Sequence, residues 1–154
     1  MINKIVSGGQ TGADQAGLDV GIKLGISHGG WIPKGRKTEN GKLPDRYKLR
    51  EMAVENYAQR TKQNVLDSDG TLIFSHGQLT GGSELTRIFT VKHGKPCLHI
   101  DLNSKSNLKI SLNIDMWIRK NNIRVLNVAG PRASKDPKIY KAVFKLLERS
   151  LTQI

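Results

Sequence analysis

Residues 7–14 have the sequence SGGQTGAD and join an apolar run, residues 2–6, to a segment whose apolar residues recur at helical spacing as far as Leu24. This pattern predicts a strand, a glycine-rich turn and a helix over residues 12–24. The first N–H groups of a helix have no partner within it, and glycines let backbone amides close around an anion. The turn is therefore predicted to bind phosphate. An ordinary βα turn without a ligand is the alternative, because the stretch is neither GxGxxG nor GxxxxGK[ST].

Two more strand-like runs end in turns of small residues. The run 71–75, TLIFS, precedes the turn LTGGS, and the run 124–129 leads into AGPRAS. In open parallel sheets ligands bind at the carboxyl ends of the strands, so the three turns are predicted to line one phosphate-binding pocket. The predicted ligand contacts are Gly8, Gly9, Gln10, Thr11, Gly12, Gly81, Gly82, Ser83, Thr86, Gly130 and Arg132.

The rest of the chain alternates strands with helices. Further strands are predicted over residues 26–32 and 97–100. Further helices are predicted after the turn that ends at Ser83, with a stop at Gly94, over residues 108–120, and from Pro137 onward, with Asp136 as N-cap. Alternation of this kind predicts a single α/β domain, residues 1–154, with a parallel sheet covered on both sides.

Two details of this assignment are specific enough to test. Residues 46–57 are ambiguous, and a helix is predicted there only from about Ala53, with a break near residues 59–67. In the helix over residues 108–120, Leu112 and Trp117 are predicted to face inward.

The charge is the most unusual bulk property: 25 Lys and Arg residues against 13 Asp and Glu give a net charge of +12 and a pI near 10. Such a field attracts polyanions, which makes a nucleic-acid-binding module one hypothesis. Aromatic residues are only 5% of the chain, and no helix-turn-helix, RRM or zinc-finger pattern occurs. A solvated basic surface is therefore the favoured interpretation.

No run of about 18 apolar residues occurs, and the chain begins with a strand pattern in place of a signal peptide. These features predict a soluble, cytoplasmic protein without a membrane segment. Cys97 is the only cysteine, which excludes an internal disulfide and a CxxC zinc site. The four histidines lack ligand spacing such as HxxxH, so no built-in metal site is expected.

Residues 33–44 form a polar, basic stretch without periodicity. A loop of that length is unusual in a compact domain and indicates a disordered segment, a lid or a binding loop. Residues 34–50 hold seven basic side chains against two acidic ones. A phosphate clamp and simple solvation are the two interpretations, and solvation is favoured for most of these side chains.

Three carboxylates are candidates for catalysis. Asp14 is a candidate base, although its spacing from Thr11 matches a capping box and favours a helix cap. Glu84 lies in the first turn of its helix, where capping and ligand contact are equally favoured. Asp69, in the turn before TLIFS, is the third candidate.

Two larger side chains lie next to small residues. Arg132 follows a strand end, where it would bind a phosphate bidentately or form a surface ion pair. Trp31 follows two glycines, where it would stack on a base or pterin or pack in the core.

Several stretches together resemble one protein family: SGGQTGADQAGLD, GGWIPKGRKTENG, RTKQNVLDSDGTLIF, GGSELT and LNVAGPRAS. They span nearly the whole chain and are similar to the molybdenum carrier proteins, the circularly permuted YpsA-like branch of the SLOG superfamily. The resemblance implies a Rossmann-like, three-layer α/β/α fold with a mostly parallel sheet of about five strands. It also implies that strand 124–129 lies beside strand 2–6, and a homodimer is a family-level expectation.

The ligand that the resemblance implies is a small phosphorylated, nucleotide-like molecule, either a nucleotide or the molybdenum cofactor. Molybdate is a further candidate, because it resembles phosphate in charge and hydrogen-bond demand. A carrier or sensor is therefore the first hypothesis, and a nucleotide N-glycosidase is the second. The related Lonely Guy hydrolases carry GGxGTxxE, whose glutamate serves catalysis, but neither GGSELT nor GGQTG supplies that glutamate.

Overall fold

The computed structural model describes residues 1–104 and 106–152. Along these residues the elements are β1 (Lys4–Val6), α1 (Ala13–Lys23), β2 (Ser27–Gly29), β3 (Trp31–Ile32), β4 (Lys37–Thr38), β5 (Gly41–Lys42), β6 (Arg50–Glu51), α2 (Tyr57–Leu66), β7 (Gly70–Ser75), α3 (Gly81–Lys92), β8 (Cys97–Asp101), α4 (Asn107–Lys120), β9 (Val125–Ala129) and α5 (Ile139–Thr152).

Five strands form one parallel sheet in the order β2-β1-β9-β7-β8. β1 pairs with β9, so strand 124–129 lies beside strand 2–6, as the permutation implies. β7 lies between β9 and β8, and all six of its residues are buried. The predicted Rossmann-like arrangement with a parallel sheet of five strands is confirmed.

The helices cover both faces of this sheet. α1 and α4 each pack against α5 on one face, and α2 packs against α3 on the other. The main core lies between the sheet and the layer formed by α1, α4 and α5, and it includes Phe74, Ile114, Val128 and Val143. In the described ranges, no helix has the length and apolar composition needed to cross a membrane.

Residues 30–51 leave the main sheet and form two short ladders. Gly30, at φ 123°, separates β2 from β3; β3 then pairs with β6, and β4 with β5. The guanidinium of Arg36 holds the segment together by donating to the backbone carbonyls of Leu43, Pro44, Tyr47 and Leu49. The segment 33–44 is therefore folded, and the disordered alternative is wrong.

Apolar side chains fix this segment against α1. A second, smaller core is made of Leu18, Ile32, Leu43, Tyr47 and Leu49. The Tyr47 hydroxyl donates to Asp19 Oδ1 of α1 at 2.7 Å, which adds a polar contact between the segment and this helix.

Two predictions about element boundaries are wrong. α2 begins after its N-cap Asn56, whose Oδ1 accepts from the amides of Ala58 and Gln59, and it runs to Leu66 without a break. The predicted strand 26–32 is interrupted at Gly30, whose φ of 123° is incompatible with a continuous strand. Only glycine fits at this point, because a Cβ there would lie 2.2 Å from the Ser7 carbonyl oxygen.

The predicted inner face of α4 is also wrong in part. Leu112 is 49% exposed, whereas Ile110, Ile114 and Ile118 are buried. An offset of two residues places side chains on nearly opposite sides of a helix, so only one of the two sets can face the core. Trp117 packs against the core, as predicted.

Paired alanine substitutions test this orientation. Ile114→Ala is expected to lower the free energy of unfolding by about 3 kcal/mol, because it leaves a cavity in the main core. Leu112→Ala removes a side chain of equal size and is expected to cost less than about 1 kcal/mol. Urea unfolding measures both, and equal costs would contradict the orientation of α4.

Candidate functional site

A cavity of about 690 Å³ lies at the carboxyl edge of the sheet, where β1, β9 and β7 end. Gly8 and Gln10 follow β1, His76 follows β7 and residues 130–132 follow β9, and all of them line the cavity. Residues of α2 and the first turn of α3 form the other walls. The structure thus brings the three predicted turns together at one place.

The first turn of α3 opens into this cavity without a cap. Its N-cap residue, Thr80, makes no side-chain hydrogen bond to the helix, and within the described residues the amides of Gly81, Gly82 and Ser83 have no acceptor. A Cβ at Gly82 would meet nothing within 4 Å, whereas a Cβ added at Gly81 would lie 2.9 Å from Lys135 Nζ. Free amides, the helix dipole and a cation make this turn suited to an anion.

The SGGQTGAD turn differs from the first turn of α3, because three of its amides already donate hydrogen bonds to side chains of the protein. Ser7 Oγ accepts from Gly9 N at 3.3 Å and Asp14 Oδ2 from Gln10 N at 3.2 Å. The side-chain oxygen of Gln10 accepts from Thr11 N at 3.1 Å. The turn after β1 therefore satisfies much of its own hydrogen-bonding capacity.

Three of the predicted ligand-binding glycines allow the protein to pack closely on itself. A Cβ at Gly8 would lie 1.7 Å from Arg60 Nη1, and one at Gly12 would lie 2.5 Å from the Pro131 carbonyl oxygen. A Cβ at Gly130 would lie 2.6 Å from a backbone oxygen of β7. Protein atoms are sufficient to explain why these three positions need glycine.

The capping-box prediction is wrong. α1 has Gly12 as its N-cap, without a side-chain cap. Thr11 Oγ1 instead donates to Glu39 Oε1 and accepts from Ala133 N. Arg132 Nε lies 3.7 Å from Glu39 Oε2. Two of the predicted phosphate donors, Thr11 and Arg132, therefore face a carboxylate of the protein.

A buried ion pair lines the cavity beside Gly8. Arg60 and Asp14 are 9% and 8% exposed. Arg60 Nη1 donates to the Gly8 carbonyl at 2.7 Å and lies 3.5 Å from Asp14 Oδ2. Burial raises the pKa of the Asp14 carboxyl to about 6 even though Arg60 attracts its negative charge. Burial also lowers the pKa of Arg60, so desolvation outweighs pairing for both groups.

Sequence reasoning missed Arg60 and His76. Arg60 lies in the stretch where the helix was predicted to break, and no spacing links position 60 to positions 8 and 14. His76 Nδ1 lies 2.6 Å from Asp136 Oδ2, and both residues line the cavity. The only signal for His76 was its position after TLIFS, at the carboxyl end of a strand.

The two other candidate carboxylates lie outside the cavity. Asp69 is at the amino edge of the sheet, where its Oδ2 accepts from the amides of Arg124 and Val125. Glu84 pairs with Arg87 one turn along α3, and this hydrogen bond is the main reason that its pKa lies below the usual value.

Two further predicted contacts have local partners. Trp31 Nε1 donates to Asp67 Oδ2 at 2.7 Å and lines a separate cleft of about 190 Å³. Thr86 Oγ1 donates to the Gly82 carbonyl at 2.9 Å, and both residues line the large cavity. Across residues 1–104 and 106–152, no group of three His, Cys, Asp or Glu side chains is placed to hold a metal ion.

A parallel sheet with a cavity at its carboxyl edge, next to an uncapped helix, defines the class of this protein as a Rossmann-like α/β fold with a ligand-sized site. The sequence matches the model of the circularly permuted YpsA SLOG family over residues 5–151, and the chain belongs to that family.

A solved relative covers nearly the whole chain. It is the crystal structure of a protein from Syntrophus aciditrophicus SB that is named "putative molybdenum carrier protein". The two chains are 56% identical and superpose with a TM-score of 0.96, over 97% of this chain and 95% of that one. No curated protein matches the sequence.

Asp14→Asn tests the effect of burying the carboxyl. Folding raises its pKa from 3.8 to about 6, so the folded state holds the proton more tightly than the unfolded chain. The carboxyl therefore lowers the free energy of unfolding as pH rises between these values, by about 2 kcal/mol from pH 4.5 to 7.5. In urea unfolding at the two pH values, the variant should lack this part of the decrease. An equal decrease in both proteins would contradict the raised pKa.

Proposed function

We propose that this protein binds a small phosphorylated, nucleotide-like ligand in the cavity at the carboxyl edge of its sheet, as a carrier or sensor, with residues 1–154 acting as one binding domain. The observation that carries the proposal is the first turn of α3, whose amides open into the cavity uncapped and beside Lys135. A phosphate group placed there would accept hydrogen bonds from these amides at the positive end of the helix dipole.

The dimensions of the cavity support an organic ligand rather than a phosphate ion alone. Its volume of about 690 Å³ falls inside the range of roughly 300–1,000 Å³ that is usual for small-molecule sites. Its lining includes four residues that keep exposed surface, the apolar Tyr57 and Leu85 and the polar Thr61 and Gln78. Such walls suit a planar ring that carries hydrogen-bonding groups.

The molybdenum cofactor and a nucleotide are the two ligands that we propose, with molybdate as the inorganic candidate. The molybdenum cofactor comes first, because the relative from Syntrophus aciditrophicus SB is named as a molybdenum carrier. In this proposal the phosphate of either organic ligand contacts residues 81–83, and the ring system extends towards α2. Molybdate would accept hydrogen bonds from the same amides as the phosphate group of these ligands.

Gly82→Asp separates ligand binding from folding. A Cβ at this position meets nothing within 4 Å, and an acidic residue in the first turn of a helix favours the helix. We expect an unchanged or slightly higher melting temperature without ligand. The added charge should repel phosphate. The apparent affinity for nucleoside monophosphates, ribose 5-phosphate or molybdate, as derived from ligand-induced stabilisation, should therefore fall tenfold or more. A thermal-shift series over ligand concentration measures both effects.

Asn107→Asp is the matched control, since it adds the same charge to the first turn of α4, away from the cavity. It should leave ligand stabilisation unchanged. The proposal would be contradicted if no phosphorylated ligand stabilised the wild-type protein, or if Gly82→Asp and Asn107→Asp bound such a ligand equally well.

An N-glycosidase is the second candidate, favoured by Asp14. This carboxyl lines the cavity and its pKa is raised to about 6, which suits a general acid or base near neutral pH. In such a reaction water would add to the sugar carbon as the glycosidic C–N bond breaks. The departing base would take up the proton that the water loses.

Turnover decides between the binder and this enzyme. Incubation with each common nucleoside monophosphate should release ribose 5-phosphate if the protein is a glycosidase. Asp14→Asn should then reduce release by about a hundredfold or more, while thermal stabilisation by the intact nucleotide persists. Absence of release with every base, together with ligand-induced stabilisation, would leave the carrier or sensor function.

A further inference from the structure

Glu39, next to β4 in the β4–β5 hairpin, places its carboxylate between the turn that follows β1 and the turn that follows β9. Thr11 Oγ1 and Ser134 N donate to Oε1, the latter at 3.1 Å. Ser134 Oγ donates to Oε2 at 2.5 Å, and Arg132 Nε lies 3.7 Å from the same oxygen. Donors from two of the three turns thus converge on one carboxylate. We call the side chains of Thr11, Arg132 and Ser134, with the Ser134 amide, the Thr11–Ser134 cradle.

The cradle recognises a negative charge. Hydrogen bonds from Ser134 and then Thr11 hold the pKa of the Glu39 carboxyl below its usual value, so the group is ionised at neutral pH. Hydroxyl, amide and guanidinium donors are also the groups that proteins use for phosphate and related oxyanions. The Glu39 carboxylate therefore occupies a place whose chemistry would equally accept a tetrahedral oxyanion.

The cradle adjoins the cavity. Arg132 belongs to both, and Gln10, which lines the cavity, accepts from the amides of Thr11 and Glu39 with the same Oε1. A ligand that fills the cavity could thus extend a second anionic group into the cradle. The neighbouring hairpin residues Asn40, Gly41 and Lys42 are exposed, so a displaced Glu39 side chain would move into solvent.

We propose that the Thr11–Ser134 cradle is a second oxyanion-binding subsite, filled by Glu39 when no ligand is bound, and that a phosphate or molybdate group displaces the Glu39 carboxylate when it binds. This inference rests on the proposed ligand-binding function and adds to it that the natural ligand carries an oxyanion at each end. One oxyanion contacts the first turn of α3, and the other enters the cradle.

An internal competitor lowers the apparent affinity of a ligand by the fraction of molecules in which the subsite is open. Removing the competitor should recover that factor. If Glu39 only linked the two turns and were never displaced, the opposite result is expected. Loss of Glu39 would then loosen two turns that shape the site, and ligand binding would weaken or stay the same.

Glu39→Ala in the full chain tests the proposal by isothermal titration with inorganic phosphate and with sodium molybdate. We expect the apparent dissociation constant of at least one of these ions to fall about tenfold or more relative to wild type. Glu39→Gln keeps the size of the side chain but not its charge, so it guards against misfolding and should bind with intermediate affinity.

Glu51→Ala is the matched control. Glu51 belongs to the same segment and accepts from the Gly35 amide, away from the cradle, so its loss changes the net charge equally and should leave affinity unchanged. Adding Thr11→Val to Glu39→Ala removes one donor of the cradle and should cancel most of the gain, which a double-mutant cycle would quantify.

The outcomes separate this inference from the proposed function. If a nucleoside monophosphate binds in a way that Gly82→Asp abolishes, but Glu39→Ala gains nothing or Glu51→Ala gains as much, the inference is overturned and the proposed function stands. If no phosphorylated ligand, phosphate or molybdate binds to the wild type or to Glu39→Ala, both are overturned.

Discussion

The contact between the turns that follow β1 and β9 is the constraint on which the remaining structure depends. Gly12 packs directly on the backbone of Pro131, and Gly8 packs on the guanidinium of Arg60, with no room for a Cβ at either position. The Gly12 contact sets the distance between the two turns, and the Gly8 contact sets the distance between the turn after β1 and α2, which forms another wall of the cavity. A side chain at Gly12 would separate the two turns, and one at Gly8 would push the turn after β1 away from α2, since backbone and a buried guanidinium cannot move aside easily.

This close packing also decides where the protein is open to an anion. The turn after β1 directs its amides at Ser7, Asp14 and Gln10, so its own polar groups satisfy it. The first turn of α3 has neither a side-chain cap nor a close neighbour at Gly82. The two turns have similar glycine content, yet among the described residues only the second has three successive amides without an acceptor.

Burial and hydrogen bonding also determine how readily the charged groups around the cavity ionise. Asp14 and Arg60 are buried together, and burial opposes the ionised form of each. Glu39, which is more exposed, is held ionised by the hydroxyl donors of the cradle. The chain carries many more cations than anions, but three of its few carboxylates, Asp14, Glu39 and Asp136, contact the turns around the cavity. The local electrostatics therefore differ from the basic character of the whole chain.

The sequence by itself determined the layered architecture, because the strands and most helices depend on local periodicity. TLIFS is fully buried in β7, and three turns with small residues meet at one edge, as alternation of strands and helices requires. Only the tertiary structure decided which amides of those turns donate within the protein, that Arg60 reaches Gly8, and that Glu39 fills the place next to Thr11. These contacts join residues 28 to 95 positions apart, and no local pattern encodes which side chain will satisfy a distant hydrogen-bond donor.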